Sequence, residues 1–284
     1  PLLVTLREAL AANDIIGISG ILNGTCNYIL TRIEEGISFS DALRDAQARG
    51  YAEREPSDDV SGKDSARKLA ILASMLSGEW INAQDIHTEG IYAINQEDAQ
   101  LANHLGMCIR LIANLRTRQT TDRTQYGLAV TPMLVPKSHP ISIAKDVYNA
   151  VLIHADPAEN ILLYGQGAGA LPTASAVLGD LMEIAVNTWT IEHAQEWKDV
   201  LSDRLIPFGD QKVKSYLRVK KHFDVDALSE YLRDLGGYQL LDSVFNDEYL
   251  IMTTDNKLRE GRLESAILEL PKESFVSRLR VLES

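Results

Sequence analysis

The sequence predicts an α+β fold: a mixed sheet with helices on one face over residues 1–205, then a small β-α-β-β-α-β unit over 212–284. Three observations predict it. Apolar runs of strand character and apolar stripes of helical period are mixed through the first two hundred residues without regular βαβ alternation. A stretch at 203–210, with Pro207 and Gly209, reads as a linker. Beyond it the pattern resets and runs strand, helix, strand, strand, helix, strand to the C-terminus.

Residues 1–12 read as a helix, with Pro1 suited to a first turn and Leu2, Leu3, Leu6 and Leu10 apolar. Residues 15–22 are a short β-branched run, read as a buried strand. Asn23-Gly24-Thr25 breaks it, and a helix follows over 26–33. Ser38 with Asp41 is a capping-box start for a helix that Gly50 stops. Residues 51–62 are polar and aperiodic, a loop; 64–76 form a strong helix with Ala66, Leu69, Ala70 and Ala73 on one stripe. A helix at 96–105, strands at 110–116, 126–134, 149–154 and 162–164, a glycine turn at 165–169 and a helix at 173–190 complete the first part. In the second part the strands fall at 213–219, 238–244, 248–253 and 275–281, and the helices at 225–235 and 258–270.

The 284 residues are 45% hydrophobic and 24% charged, enough for a sizeable buried core. A net charge of -12 without a basic run argues against a nucleic-acid partner or an anionic membrane surface. The apolar stretch 69–76 is too short to span a membrane. Cys26 and Cys108, isolated and without metal spacing, read as packing residues of a reducing compartment, which points to the cytoplasm. No signal-peptide pattern opens the chain, and the abrupt start Pro1-Leu2-Leu3-Val4 reads as a cut, processed or incomplete end.

The most informative segment runs from Gly50 to Lys68. It places five carboxylates, Glu53, Glu55, Asp58, Asp59 and Asp64, in a loop and the turn after it. Asp64 and Lys68 are four apart on a helix and can pair. Two readings stand on charge and spacing alone: a solvated acidic loop closed by an ordinary ion pair, or a lysine tuned by apolar packing and carboxylates for proton transfer. Carboxylate count could suggest a metal, but no histidine or further spaced ligand supports one, so no metal site is expected. At Gly24-Thr25, helix-start amides could bind an anion; a plain N-cap by Asn23 or Thr25 explains the residues as well. Gly165, Gly167 and Gly169 open a long helix but lack the Gly-Lys-Ser/Thr ending of a phosphate loop.

Together these segments resemble the homoserine dehydrogenases. Glu53, Pro56, Asp59, Gly62, Asp64 and Lys68 stand at the positions of that family's signature, after Gly50-Tyr51. The run Gly20-Ile21-Leu22-Asn23-Gly24-Thr25 and the run Gly165-Gln166-Gly167-Ala168-Gly169 with Pro172-Thr173-Ala174-Ser175-Ala176 resemble two more of its motifs. Glu55 departs, standing where the family usually has Asp. The pairs His139-Pro140 and Asn149-Ala150 and the triplet Glu89-Gly90-Ile91 agree in order and spacing, with no chemistry assigned.

The resemblance implies roles. Lys68 would exchange a proton with the substrate hydroxyl, with Asp64 orienting it. Glu53 would bind the substrate amino group, Asp59 would hold the substrate, and Tyr51, Gly24 and Thr25 would line its site. Gly165, Gly167 and Gly169 would face the cofactor. Glu53, Asp59, Asp64 and Lys68 should converge on a cleft with one open wall. Residues 1–205 would be the catalytic and dimerisation domain. Residues 212–284 resemble an ACT domain, although the usual Asp-x-Pro-Gly turn is replaced by Lys221-His222-Phe223-Asp224-Val225-Asp226. NAD(P) would be bound mainly by a nucleotide-binding domain that this chain lacks, and the complete enzyme could also hold a monovalent cation. The implied activity interconverts L-aspartate 4-semialdehyde and L-homoserine in threonine and methionine biosynthesis, in a homodimer or higher homo-oligomer acting on a small amino-acid substrate. The alternative is a non-enzymatic, dimeric amino-acid-binding or regulatory protein that has lost its cofactor domain.

Overall fold

The structure is a computed structural model and describes residues 1–186, 197–199, 202–220, 238–241, 249–254, 258–270 and 275–283. The N-terminal helix is Leu2–Val4, continued by a wider π turn at Thr5–Ala9. Strand β1 (Asp14–Ile21) then leads through Leu22 and Asn23 into helix α1 (Gly24–Glu34). Asn23 keeps an extended backbone, and its side chain accepts from Cys26 N, so it is the N-cap. Helix α2 (Phe39–Ala48) starts at Ser38, which accepts from Asp41 N at 3.1 Å.

The expected loop 51–62 contains a four-residue helix, α3 (Ser57–Val60). Asp58 and Asp59 in its first turn favour the positive end of a helix, but four residues are too few to show a period. Helix α4 (Lys63–Ser77) lies between Gly62 (φ 83°) and Gly78 (φ 70°). Both hold left-handed backbone, which glycine adopts without a Cβ penalty and which sets sharp limits to the helix. Helix α5 (Gln96–His104) begins with a full capping box between Asn95 and Asp98.

Strands β2 (Met107–Gln119) and β3 (Thr124–Pro136) form one long antiparallel hairpin, each 13 residues. They outrun the expected strands at both ends; towards the turn the added Thr117, Arg118 and Gln119 are polar and largely exposed, where no burial pattern marks them. Strands β4 (Tyr148–Asp156) and β5 (Glu159–Gln166) form a second hairpin, and helix α6 (Ala170–Val186) follows. The C-terminal part supplies β6 (Ser215–Lys220), β7 (Tyr238–Leu241), β8 (Tyr249–Thr254), α7 (Glu260–Glu269) and β9 (Phe275–Val281). The expected helix at 225–235, the turn at 221–226 and the end of the expected helix at 173–190 lie outside the described residues.

One mixed sheet takes the order β7-β8-β6-β9-β3-β2-β1-β4-β5, and the short strand His87–Thr88 adds to β3. Neighbours run antiparallel except where β9 and His87–Thr88 meet β3. The expected linker at 203–210 is not free. Leu205 bridges to Tyr126, and Ile206 N donates to Tyr126 O at 2.9 Å. The outer edge of β3 thus receives three segments: Leu205 at Tyr126, His87–Thr88 at Ala129 and Val130, and Arg280 and Val281 at Met133 and Leu134. The C-terminal strands continue the same sheet.

Side chains alternate across it, as a pleated strand requires. In β2, Ile109, Leu111, Ala113 and Leu115 share a buried cluster with Ile29 and Ile33 of α1, Ala42 and Ala46 of α2, Leu69 and Ala73 of α4, and Leu101 of α5. Cys108 and Ile112 belong to a second cluster with Ile21, Met133, Val135, Ile141 and Leu282. Helices α1, α2, α4 and α5 therefore cover one face. Each large side chain buried there contributes about 1.5–3 kcal/mol relative to exposure. Among the described residues, no helix is long and apolar enough to cross a membrane.

Candidate active site

The strand-to-helix turn after β1 and the start of α4 are packed side by side, and their polar groups meet. Lys68 stands one turn into α4 beyond Asp64, and its Nζ lies 2.8 Å from Asp64 Oδ2. The same Nζ donates to the main-chain carbonyl of Leu22 at 2.9 Å. An ammonium has three N–H donors. Two are taken, and the Lys68 side chain is 47% exposed, which leaves the third for an outside acceptor.

Asn23 ties the carboxylates together. Its Nδ2 donates to Asp59 Oδ1 at 2.7 Å and to Asp64 Oδ2 at 2.9 Å, while its Oδ1 accepts from Cys26 N at 2.8 Å. One side chain caps α1 and holds two carboxylates next to the lysine. Cys26 Sγ, on the first turn of α1, donates to the Asp59 carbonyl at 3.1 Å. Burial, then the nearby Asp59 and Asp64 charges, push the Cys26 thiol well up, against a smaller opposing effect of Lys68. The thiol is a neutral, buried strut, in keeping with a packing residue.

The five carboxylates of the segment divide. Asp59 and Asp64 join the cluster, whereas Asp58 pairs with Arg67 at 2.6 Å on the surface. Glu53 and Glu55 are exposed, and among the described residues Glu53 is tied in through its carbonyl, which accepts from Gln47 Nε2 at 3.3 Å. Tyr51 is also exposed, its ring edge-on to Tyr28. Thr25 is buried, and its hydroxyl donates to the Tyr51 carbonyl at 2.8 Å, fixing the loop to α1. The amides of Cys26 and Asn27 are satisfied by Asn23, leaving Gly24 and Thr25 as the helix-start amides without an intrahelical partner. Gly24 needs to be glycine: a Cβ would lie 2.8 Å from the Val147 carbonyl.

The glycine turn reaches this region through the same neighbour. Gly165 pairs with Asn149, two residues beyond Val147, and Tyr148 stacks on Tyr164. A Cβ on Gly167 would sit 2.1 Å from Asn149 Nδ2, and Gly169 has φ 118°. Both glycines are exposed at the start of α6, so their bare backbone is open to a flat ligand.

Sequence reasoning read Asn23 only as a cap, and the Leu22 carbonyl gave no signal at all. The one available hint was an amide side chain at a strand-to-helix turn, which can cap with its oxygen and still donate twice with its nitrogen.

The homoserine dehydrogenase family model matches residues 1–182, nearly two thirds of the chain. The chain belongs to the homoserine dehydrogenase family. A Synechocystis sp. homoserine dehydrogenase is 44% identical over 185 residues, covering 65% of this chain and 43% of that protein. The chain thus spans less than half the length of this relative. The crystal structure of a homoserine dehydrogenase from Thiobacillus denitrificans superposes with a TM-score of 0.86 at 31% identity, over 100% of this chain and 68% of that one. A hyperthermophilic archaeal homoserine dehydrogenase mutant, solved in complex with NADPH, superposes with a TM-score of 0.56 at 27% identity, over 67% of this chain and 54% of that one. Homology to these enzymes covers the catalytic region, where Asn23, Asp59, Asp64 and Lys68 all lie.

Proposed function

We propose that this chain supplies the substrate-binding and proton-transfer half of a homoserine dehydrogenase that interconverts L-homoserine and L-aspartate 4-semialdehyde with NAD(P). The observation that carries the reading is Lys68: an exposed ammonium fixed by Asp64 and the Leu22 carbonyl, with one donor left over. That is the arrangement a group needs to meet a substrate oxygen at a defined place.

On this reading the Lys68 ammonium gives its free N–H proton to the substrate oxygen when the semialdehyde is reduced, leaving a neutral amine, and in the reverse direction that neutral amine takes the hydroxyl proton of homoserine. Asp64 holds the lysine in place, and Asp59, fixed by Asn23, holds the substrate. The exposed Glu53 carboxylate receives the substrate ammonium, with Tyr51 beside it. The Gly24 and Thr25 amides receive the substrate carboxylate. A nicotinamide, when bound, supplies the hydride chemistry. The bare backbone at Gly165, Gly167 and Gly169 suits an approach to that cofactor, and the NADPH complex of the archaeal relative supports the pairing. Most of the cofactor site, and any monovalent cation, belongs to the part of the relatives that this chain does not span.

Residues 212–284 are read as an ACT-like regulatory unit after the catalytic and dimerisation region 1–205. The strand order β7-β8-β6-β9, second-third-first-fourth in the sequence of the unit, supports this. The complete protein is read as a cytoplasmic homodimer or higher homo-oligomer. The test is NAD(P)H oxidation with aspartate semialdehyde, on this chain alone and on the chain joined to a relative's nucleotide-binding portion. Turnover only in the joined form is the expected result; no turnover in either refutes the reading.

A further inference from the structure

A second charged cluster lies where the C-terminal strands meet the catalytic region. Glu89 follows the short strand His87–Thr88. Its carboxylate receives Arg280 Nη1 and Nη2 at 2.7 and 2.8 Å, a two-point grip from β9, and lies 2.8 Å from His87 Nε2. Arg280 Nε donates to Glu260 Oε1 at 2.8 Å. Glu260, 1% exposed at the start of α7, also pairs with Arg278. Phe208 closes the cluster: it stacks on His87 with ring centroids 3.6 Å apart, and the Arg280 guanidinium lies 5.1 Å from its centre.

Burying Arg278, Arg280 and Glu260, with Glu89 half-buried beside them, is a poor way merely to join two elements, since apolar residues of the same size would do it as well. A bidentate Arg–carboxylate pair adds direction and distance. Here it fixes a segment that lies against the acid turn. Gly90 is so close that a Cβ on it would stand 2.3 Å from the Val60 carbonyl and 2.8 Å from Ser61 Cα. Ile91 N donates to that Val60 carbonyl at 2.9 Å. A Cβ on Gly62 would in turn lie 3.2 Å from the Glu89 carbonyl. Val60 follows Asp59, and Gly62 caps the helix that carries Asp64 and Lys68. The 89–91 backbone is therefore the wall against which the Val60–Gly62 turn, the link between Asp59 and Asp64, is set.

We propose that Glu89, gripped by Arg280, is a positioning residue for the acid turn: the last strand sets, through the 89–91 backbone, where Asp59 and Asp64 stand relative to Lys68. The catalytic meaning of that placement rests on the function proposed above; the mechanical claim does not. A displacement of an ångström in such a group is enough to cost a large factor in rate.

Two measurements test it. The first is hydrogen exchange by mass spectrometry on this chain and on Glu89→Gln, Arg280→Met and Arg280→Lys. Glu89→Gln is nearly isosteric and keeps the packing. Amides of 57–64 should exchange about tenfold faster in Glu89→Gln and Arg280→Met, with partial recovery in Arg280→Lys and unchanged protection over 24–34. Unchanged protection at 57–64 in folded Glu89→Gln overturns the proposal. The second is kinetics in the complete enzyme. The KM for homoserine should rise about fivefold in Glu89→Gln while the KM for NAD(P) stays within about twofold, a split that mere loss of folded protein does not produce. A wild-type enzyme that turns over homoserine beside a Glu89→Gln variant with unchanged KM and kcat also overturns the proposal and leaves the function standing. A wild type without turnover defeats the function, and the exchange result then decides the positioning claim alone.

Discussion

The side-chain amide of Asn23 donates to the carboxylates of both Asp59 and Asp64, at 2.7 and 2.9 Å. Two like charges that would otherwise repel are held together by one neutral group, which is fixed in turn by capping α1. Replacing Asn23 by Ser should separate these duties. Serine caps a helix about as well as asparagine, so stability should stay within about 1 kcal/mol. Its single hydroxyl cannot bridge two carboxylates while also capping, so kcat of the complete enzyme should fall by about tenfold to a hundredfold. Thermal melts beside steady-state rates check this; an unchanged kcat in a variant of unchanged stability would show that the amide acts only as a cap.

Acid should weaken the Glu89 cluster. Burial pushes the Glu89 carboxyl up, but hydrogen bonds from His87 and Arg280, with their charges, outweigh it and bring it from an ordinary 4.5 to about 2. Between these values the unfolded chain binds the proton that the folded chain excludes, so stability rises with pH there. The contribution is fully present above about 4.5 and disappears as pH falls towards 2. Melting curves of wild type and Glu89→Gln should be well separated at neutral pH and should converge as pH drops below about 4. A separation that is constant with pH would show that the carboxylate charge does not matter to the fold.

Leu69 follows the lysine in sequence but faces the core, with 0% exposure. Leu69→Ala should cost about 2–5 kcal/mol, since the sheet and α1 around it can only partly close the cavity. Urea denaturation measures this directly, and a loss below about 1 kcal/mol would mean that α4 is not anchored as described.

Why some of this was legible in the sequence and some was not can be argued residue by residue. The i,i+4 spacing of Asp64 and Lys68, the Ser38 cap and the glycine at 50 are local signals, and the elements they mark stand where they were expected. Charge and spacing alone could not sort the five carboxylates, and only the family resemblance singled out Asp59 over Asp58, because what separates the two is which one faces Asn23, 36 residues away. The docking of 203–210 and of β9 along β3 was also hidden, because those contacts are made by backbone groups that every residue carries. The Glu89–Arg280 pair joins residues 191 positions apart, and neither is unusual in its own neighbourhood.

Lys68 is the group on which the proposed chemistry turns, and Lys68→Ala in the complete enzyme tests it most directly. Its half-exposed side chain makes the change tolerable to the fold, which circular dichroism can confirm. The expected result is a fall in kcat for homoserine oxidation of about a hundredfold to ten-thousandfold, with the KM for NAD(P) nearly unchanged. A folded Lys68→Ala enzyme that keeps kcat within about fivefold of wild type would contradict the assignment of proton transfer to this lysine.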